Sequence, residues 1–354
     1  LPPTCPLDAP LPSIQSSRCE LNDVGLIEFS FEGKNMKEKN ITRRRLLQTS
    51  GAVGLAAAIP GSLAAAFTAA ARQQPSGVQK SSQAATAPSP LKAPESGPIN
   101  VAFVISKGAV LIDFAGPWEV FQDAAIPGRD MMDSAFNLYT VAEALGPIAV
   151  SGGLQIVANY TFQNAPTPKV IVIPAQDNAS DAMLDWIRKA SKTADLTMSV
   201  CTGAFVLAAT GLLNGKSATT HHTAYSDLAM QFPDIKVLRG ARFVEEGNIA
   251  TAGGLTSGMD LALRTIGRYF GPEAIRRTAF GLEYQGKGWM DAGSNSEFAV
   301  RPPGDVCAVC WMQVDRKIAL SEVYKSRTYY FCMDSHKAAF DAKPDKFIEL
   351  LSKA

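Results

Sequence analysis

Cys201 lies within LTMSVCTGAFVLAATGL, Leu196 to Leu212, between a short apolar strand pattern (Leu196 to Val200) and a helical run opening at Phe205. A cysteine at such a strand-to-helix turn projects its sulfur out of the sheet, toward the first free amides of the helix. Those amides and the helix dipole favour thiolate over thiol. The pattern points to a nucleophile, the competing reading being a buried structural cysteine. A second constellation stands near the carboxyl terminus. Cys307 and Cys310 have the Cys-x2-Cys spacing of a metal knuckle, and Cys332 and His336 are placed one helical turn apart. Four such ligands on a short segment stabilise a domain too small for a sufficient hydrophobic core. Tetrahedral zinc is the simplest occupant, and thiolates also suit Cu(I). The alternatives are a Cys307 to Cys310 disulfide or inert cysteines. Tyr329, Tyr330, Phe331, Phe340 and Phe347 are expected to form this segment's miniature core.

The elements that must position Cys201 alternate between strand and helix. Asn100 to Ser106, Phe136 to Ala142 and Lys169 to Pro174 read as strands, and Ile148 to Phe162 as short strands joined at Gly152 and Gly153. Ala179 to Ala190 is an amphipathic helix, Ala224 to Phe232 another, and Phe243 to Ala252 a hairpin turning at Glu246, Gly247 and Asn248. Helices follow from Met259 to Phe270 and from Pro272 to about Glu283. This alternation predicts a three-layer α/β/α sandwich with a mostly parallel sheet, of the flavodoxin-like, class I glutaminase-like kind. Chemistry in such sheets gathers beyond the carboxyl ends of the strands. Cys201 is at one such end, and Asp113, in IDFAGPWEVF, is expected in the loop after another, ahead of a helix starting near Trp118. Asp113 is therefore a candidate proton carrier or a plain turn residue. His221 has three readings: a structural histidine, a direct participant or a metal ligand. Adjacent His221 and His222 on a strand would point to opposite faces. Neither has Glu two positions later, as a glutamine amidotransferase triad requires.

VCTGAFVLAATGLLNGKSATTHH, with IDFAGPWEVF upstream and GGLTSGMDLALRTIGRYFG downstream, resembles the DJ-1/PfpI superfamily over residues 99–285. The isocyanide hydratases and the amidase-like domains of AraC-type regulators are the nearest branch. The resemblance implies a reactive cysteine at Cys201, with Thr202 behind it, a catalytic carboxylate at Asp113 and a homodimer. It implies hydration of an isocyanide to an N-substituted formamide; glyoxalase-like addition to a 2-oxoaldehyde is the alternative chemistry. Pro174, Ala175 and Gln176 stand where relatives carry Pro-Gly-Gly, so side chains there are expected to reshape the pocket. VCAVCWMQVD through YKSRTYYFCMDSHKAAFDAKPDKF resembles the YHS domain, which implies a metal site at Cys307, Cys310, Cys332 and His336 and a possible metal-transfer partner. Trp311 replaces the usual glycine and is expected to distort the knuckle, and His336 replaces a cysteine.

The amino-terminal region carries no such chemistry. Met36 opens a segment with a basic stretch, a weakly apolar core and a small-residue end, the parts of an export signal. Its Thr42, Arg43, Arg44, Arg45, Leu46 and Leu47 resemble a twin-arginine leader. The expected organisation is a non-native upstream extension at 1–35, the twin-arginine signal at 36–71 and a flexible linker at 72–98. The α/β domain follows at 99–285, a second linker at 286–304 and the metal-binding domain at 305–350. Export machinery is thus an expected early partner and the periplasm, or another exported location, the destination. A net charge of +1, with 19% charged residues, implies no electropositive surface for nucleic acid. With Cys5 and Cys19 upstream of Met36, the four remaining cysteines are too few for a disulfide scaffold. A metal- or small-ligand-binding protein without catalysis is the rival to the enzyme.

Overall fold

The computed structural model describes residues 89–130, 133–177 and 179–352. The expected upstream extension, leader and first part of the linker lie outside the described residues. Strand β1 (Ile99–Val104) is followed by α1 (Leu111–Gln122) and β2 (Phe136–Ala142). An antiparallel pair, β3 (Pro147–Ala149) and β4 (Gln155–Val157), precedes β5 (Tyr160–Thr161) and β6 (Val170–Ile173). Then come α2 (Asp181–Ala190), β7 (Leu196–Val200), α3 (Gly203–Ala209), β8 (Ser217–Ala218), α4 (Tyr225–Gln231) and β9 (Lys236–Val237). The hairpin β10 (Phe243–Glu246) and β11 (Ile249–Ala252) leads to α5 (Ser257–Phe270) and α6 (Pro272–Gly281). The central sheet runs β10-β11-β7-β6-β1-β2-β5, parallel throughout except for β10 against β11.

Period-two alternation divides the buried strands between two helical layers. Val101, Phe103, Val170, Val172, Leu196 and Met198 pack with residues of α1, α5 and α6. Ala102, Val104, Ile171 and Ile173 meet α2 and α3 on the other face. Helix α2 shows how local chemistry supports this. Ser180 Oγ accepts from Met183 N at 3.2 Å, Asp181 lies in the first turn, and Arg188 and Lys189 lie in the last. Its Met183 and Ile187, four apart, supply the buried stripe.

Residues 286–304, expected as a linker, are held against the domain. Asp260, fully buried on α5, accepts from Arg242 Nε at 2.7 Å, Tyr284 Oη at 3.1 Å and Trp289 N at 2.8 Å. Arg242 also donates to Asn295 Oδ1 at 3.2 Å. A buried carboxylate needs such partners, and the Gly/Ser/Asn-rich stretch supplies one to Asp260, Trp289 N, and one to Arg242, Asn295 Oδ1. The end of the first expected linker is anchored as well, Leu91 N donating to Arg268 O at 2.8 Å.

Beyond it, the hairpin β12 (Leu320–Tyr324) and β13 (Arg327–Phe331) packs with α7 (Asp334–Ala342) and α8 (Pro344–Ser352). Tyr329, Phe331, Phe340 and Phe347 form the core. Tyr330 does not join them, because alternation turns it away from its neighbours, under the Arg316 guanidinium. Among the described residues, no helix is long and apolar enough to cross a membrane.

The tightest backbone approach is at Gly203, where a Cβ would meet Ile173 O at 2.3 Å and Pro174 O at 2.7 Å. Gly203→Ala should destabilise the fold by at least about 2 kcal/mol, read as a lowered Tm, because backbone cannot yield as a side chain can. Gly146→Ala, where a Cβ meets nothing within 4 Å, should leave Tm within about 2 °C of wild type.

Candidate active site and metal centre

The ends of β7 and β11 meet at Cys201, and the segment after β6 reaches Asp113 beside it. Cys201 adopts φ +58°, a left-handed conformation that costs a non-glycine residue about 1–3 kcal/mol. The surroundings hold it there. Its amide donates to Gly253 O at 2.9 Å and Ala252 O at 3.2 Å, and Thr220 Oγ1 donates to its carbonyl at 2.9 Å. The sulfur is nearly buried and receives hydrogen bonds from the Thr202 and Leu255 backbone and the Thr202 side chain.

Those donors do not make Cys201 a resting thiolate, contrary to the expectation from the elbow alone. Burial pushes the thiol up to about 11, and the neighbouring Asp113 raises it further, against the donors. Desolvation outweighs the amides because charge in a nearly dry pocket loses its hydration. Asp113 is not in a loop or a turn ahead of the helix. It lies in the first turn of α1, which begins at Leu111 and includes Pro117. Burial raises its carboxyl to about 7, opposed first by the Ala175 amide and then by the Cys201 thiol. Oδ2 accepts from Ala175 N at 3.1 Å, while Oδ1 is buried with no formed hydrogen bond. The carboxyl and thiol are thus neighbours, each shifted by the other.

The Pro174-Ala175-Gln176 segment keeps its backbone role. Its Ala175 amide reaches Asp113, the Ala175 side chain packs in the same cluster as Cys201, and Gln176 turns toward the end of β1. Gln176 Oε1 accepts from Ser106 N at 2.7 Å and Ser106 Oγ at 2.8 Å, and Nε2 donates to Val104 O at 3.3 Å. His221 and His222 do not splay to opposite faces. They enter a 3-10 turn with ring centroids 4.5 Å apart, His222 stacking on Phe298. His221 Nδ1 lies 2.8 Å from Thr223 Oγ1, and its ring occupies the space a side chain at Gly254 would fill. Burial lowers both imidazoles, favouring neutral forms. Leu255, Thr220 and Ala175 were not legible as site residues: two act through backbone amides, whose direction follows from folded turns such as Leu255 at φ +45°.

Cys307, Cys310, Cys332 and His336 converge, their ligand atoms all within 4.8 Å of one another. Cys310 and Cys332 sulfurs are 3.6 Å apart, and His336 Nδ1 is 3.1 Å from Cys332 Sγ and 3.5 Å from Cys307 Sγ. Metal–sulfur bonds of about 2.3 Å at tetrahedral angles place sulfurs about 3.7 Å apart, so the donor set and spacing fit zinc, and the thiolates also fit Cu(I). All four cysteines of the described residues are free thiols, Cys307 and Cys310 included. The Cys310 side chain holds Cys307 well below the ordinary thiol range, with His336 acting in the same direction and burial opposing, which favours the ligating form. Trp311 does not distort the knuckle. It takes the left-handed conformation suited to glycine, φ +66°, while Cys307 N still donates to Met312 O at 2.8 Å and Trp311 N to Cys307 O at 3.0 Å. The Arg239 guanidinium, 4.0 Å from its ring centroid, compensates for that strain.

A mostly parallel α/β sheet with a buried cysteine on a left-handed strand-to-helix elbow, beside a protonatable carboxyl, defines a recognisable class. The chain belongs to the DJ-1/PfpI family, whose profile matches residues 99–268. It is 34% identical over 201 residues to isonitrile hydratase of Pseudomonas putida, covering 55% of this chain and 83% of that protein. It is 26% identical over 185 residues to the HTH-type transcriptional regulator GlxA of Rhizobium meliloti, covering 51% of this chain and 56% of the regulator. A ThiJ/PfpI family protein of Pseudomonas syringae superposes with a TM-score of 0.48 at 26% identity, covering 55% of this chain and 79% of that one.

Because folding lifts the Asp113 carboxyl from 3.8 to about 7, its stabilising contribution is complete below about pH 4 and is lost as pH rises through about 7. The swing is on the order of 4 kcal/mol at 1.36 kcal/mol per pKa unit. Asp113→Asn should flatten this dependence, with a larger gain in unfolding free energy over wild type at pH 8 than at pH 5 in urea titrations.

Proposed function

We propose that the α/β domain is an isocyanide hydratase-like enzyme with Cys201 as nucleophile, Asp113 as acid and base, and Thr202 as a donor to the reacting sulfur. The observation that carries this reading is the Cys201 thiol and the Asp113 carboxyl as buried neighbours, the carboxyl raised to about 7. An approaching isocyanide, R–N≡C, receives the Cys201 sulfur at its terminal carbon while Asp113, having taken the thiol proton, returns it to that carbon. The product is a thioimidate, R–N=CH–S–Cys201. Water, deprotonated by Asp113, adds to the same carbon, and Asp113 passes that proton to the nitrogen to give R–NH–CH(OH)–S–Cys201; collapse to R–NH–CHO then expels the sulfur, which receives the hydroxyl proton through Asp113. One water is consumed, and both side chains return to their starting protonation. The 34% identity to an isonitrile hydratase supports this chemistry.

The second reading, a non-catalytic ligand-binding domain, is favoured by the resting thiol near 11 and by the regulator among the relatives. Glyoxalase-like addition would use the same pair. The remaining assignments belong to the same proposal: a twin-arginine leader at 36–71 that directs periplasmic export, a homodimer, and a YHS-type domain at 305–350. That domain would hold zinc or copper at Cys307, Cys310, Cys332 and His336 and exchange it with a metal-transfer partner. Residues 72–98 would be a connecting segment. The metal cluster stands on its own module, and no step of the hydration runs through it.

Cyclohexyl isocyanide should be converted to N-cyclohexylformamide by the wild-type protein. Cys201→Ser should lower kcat/KM by about 10³-fold or more, and Asp113→Asn by about 10²–10⁴-fold. Equal formamide formation by wild type and Cys201→Ser would overturn the assignment. Only the pair carrying one proton reacts, so kcat/KM should rise with pH through about 7 and fall toward about 11, both limbs belonging to the coupled pair. Asp113→Asn should abolish the limb near 7 in its residual activity.

A further inference from the structure

His336 presents its two ring nitrogens to two different domains. Nδ1 faces the sulfurs of Cys332 and Cys307, while Nε2 lies 3.1 Å from Asp227 Oδ2, 109 residues earlier in the chain on α4. His336 is 6% exposed, while the Asp227 side chain keeps 25% of its surface in solvent, so the contact is shielded on the imidazole side. A ligating histidine must offer a lone pair to the metal, and the hydrogen bond made by its other nitrogen selects the tautomer and fixes the ring plane. Asp227 occupies that outer position: with Nε2–H donating to its carboxylate, Nδ1 is the nitrogen that faces the sulfurs and would face a metal among them. The surrounding contacts keep α4 in register with the cluster. Ser226 Oγ donates to Val309 O, inside the Cys307 to Cys310 loop, at 2.7 Å. Arg239 donates to the same Ser226 Oγ at 2.7 Å while stacking on Trp311, and Met230 packs on the module's core. The loop carrying two ligands and the ring of a third thus lean on one helix of the α/β domain.

We infer that Asp227 is a positioning residue for the metal centre, so the carboxyl-terminal cluster reaches full affinity only when docked on α4 of the α/β domain. The inference rests on the metal-binding reading of Cys307, Cys310, Cys332 and His336. It makes the centre a two-domain construction, with three thiolates and an imidazole from one module and the orienting carboxylate from the other. Loss of the metal then weakens the docking, and loss of the docking weakens the metal, by the same factor.

The test is a zinc titration of the full chain under reducing conditions, against a chromophoric chelator, for wild type, Asp227→Asn, Asp227→Ala and Asp185→Asn. Asp227→Asn keeps size and an acceptor oxygen but loses the charge, so a purely steric role predicts wild-type affinity. A positioning carboxylate predicts a graded loss, with Asp227→Ala weakened about 10–100-fold and Asp227→Asn between it and wild type. Asp185→Asn, on exposed α2 and paired with Arg188, should bind as wild type does. Thermal unfolding of the metal-free forms checks that the variants fold. Should Asp227→Ala lose its fold, Asp227→Asn alone carries the comparison. One equivalent of zinc on wild type with undiminished affinity in Asp227→Asn and Asp227→Ala would overturn the inference while leaving the metal-binding reading intact. Failure of wild type to bind zinc, or an equal loss in Asp185→Asn, would overturn it as well, the first by removing the metal centre itself.

Discussion

The approach of α3 to the end of β6 governs the geometry of the site. Gly203 lies so near the Ile173 and Pro174 carbonyls that no side chain fits, and this contact pins the helix against the sheet. With the helix so placed, the chain between β7 and α3 must turn within two residues, and Cys201 takes the left-handed conformation. Its amide then reaches the Ala252 and Gly253 carbonyls beyond β11. The sulfur's position follows from these backbone constraints, and Thr202 and Leu255 supply donors because their segments are bound to the same turn.

Burial decides the electrostatics of this site. Helix amides and a dipole lower a thiol's pKa, yet Cys201 remains a thiol because lost hydration and a neighbouring carboxyl outweigh them. The same dryness lifts Asp113 into the neutral range despite its place in a first helical turn, where charge is otherwise favoured. A buried carboxyl lifted into the neutral range and a buried thiol raised above its ordinary range thus stand side by side. This arrangement protects the sulfur from oxidation more than a free thiolate would, since susceptibility follows thiolate character and exposure.

The carboxyl-terminal module shows a different dependence. Its four aromatic core residues are few for an independent domain, and the cluster, the Arg239–Trp311 stack and the contacts to Ser226 and Asp227 add to them. Trp311 illustrates the exchange: a bulky residue accepts a conformation suited to glycine because its ring gains a cation from the neighbouring domain.

The alternation of strands and helices, the cysteine at the elbow and the four-ligand spacing are legible in the residues alone, because each is a local pattern of period or offset. Leu196 to Val200, the Phe243 to Ala252 hairpin and the Cys332 to His336 offset lie where their residue types predict them. Asp113 is legible as a candidate, but the residue types place a helix start near Trp118, whereas α1 begins at Leu111 and accommodates Pro117. The direction of Gln176, the stacking of His221 and His222, the raised thiol of Cys201 and the reach of Asp227 to His336 emerge from folding. Each depends on what burial removes from water and on which distant backbone or side chain arrives beside it, and neither is encoded at short range.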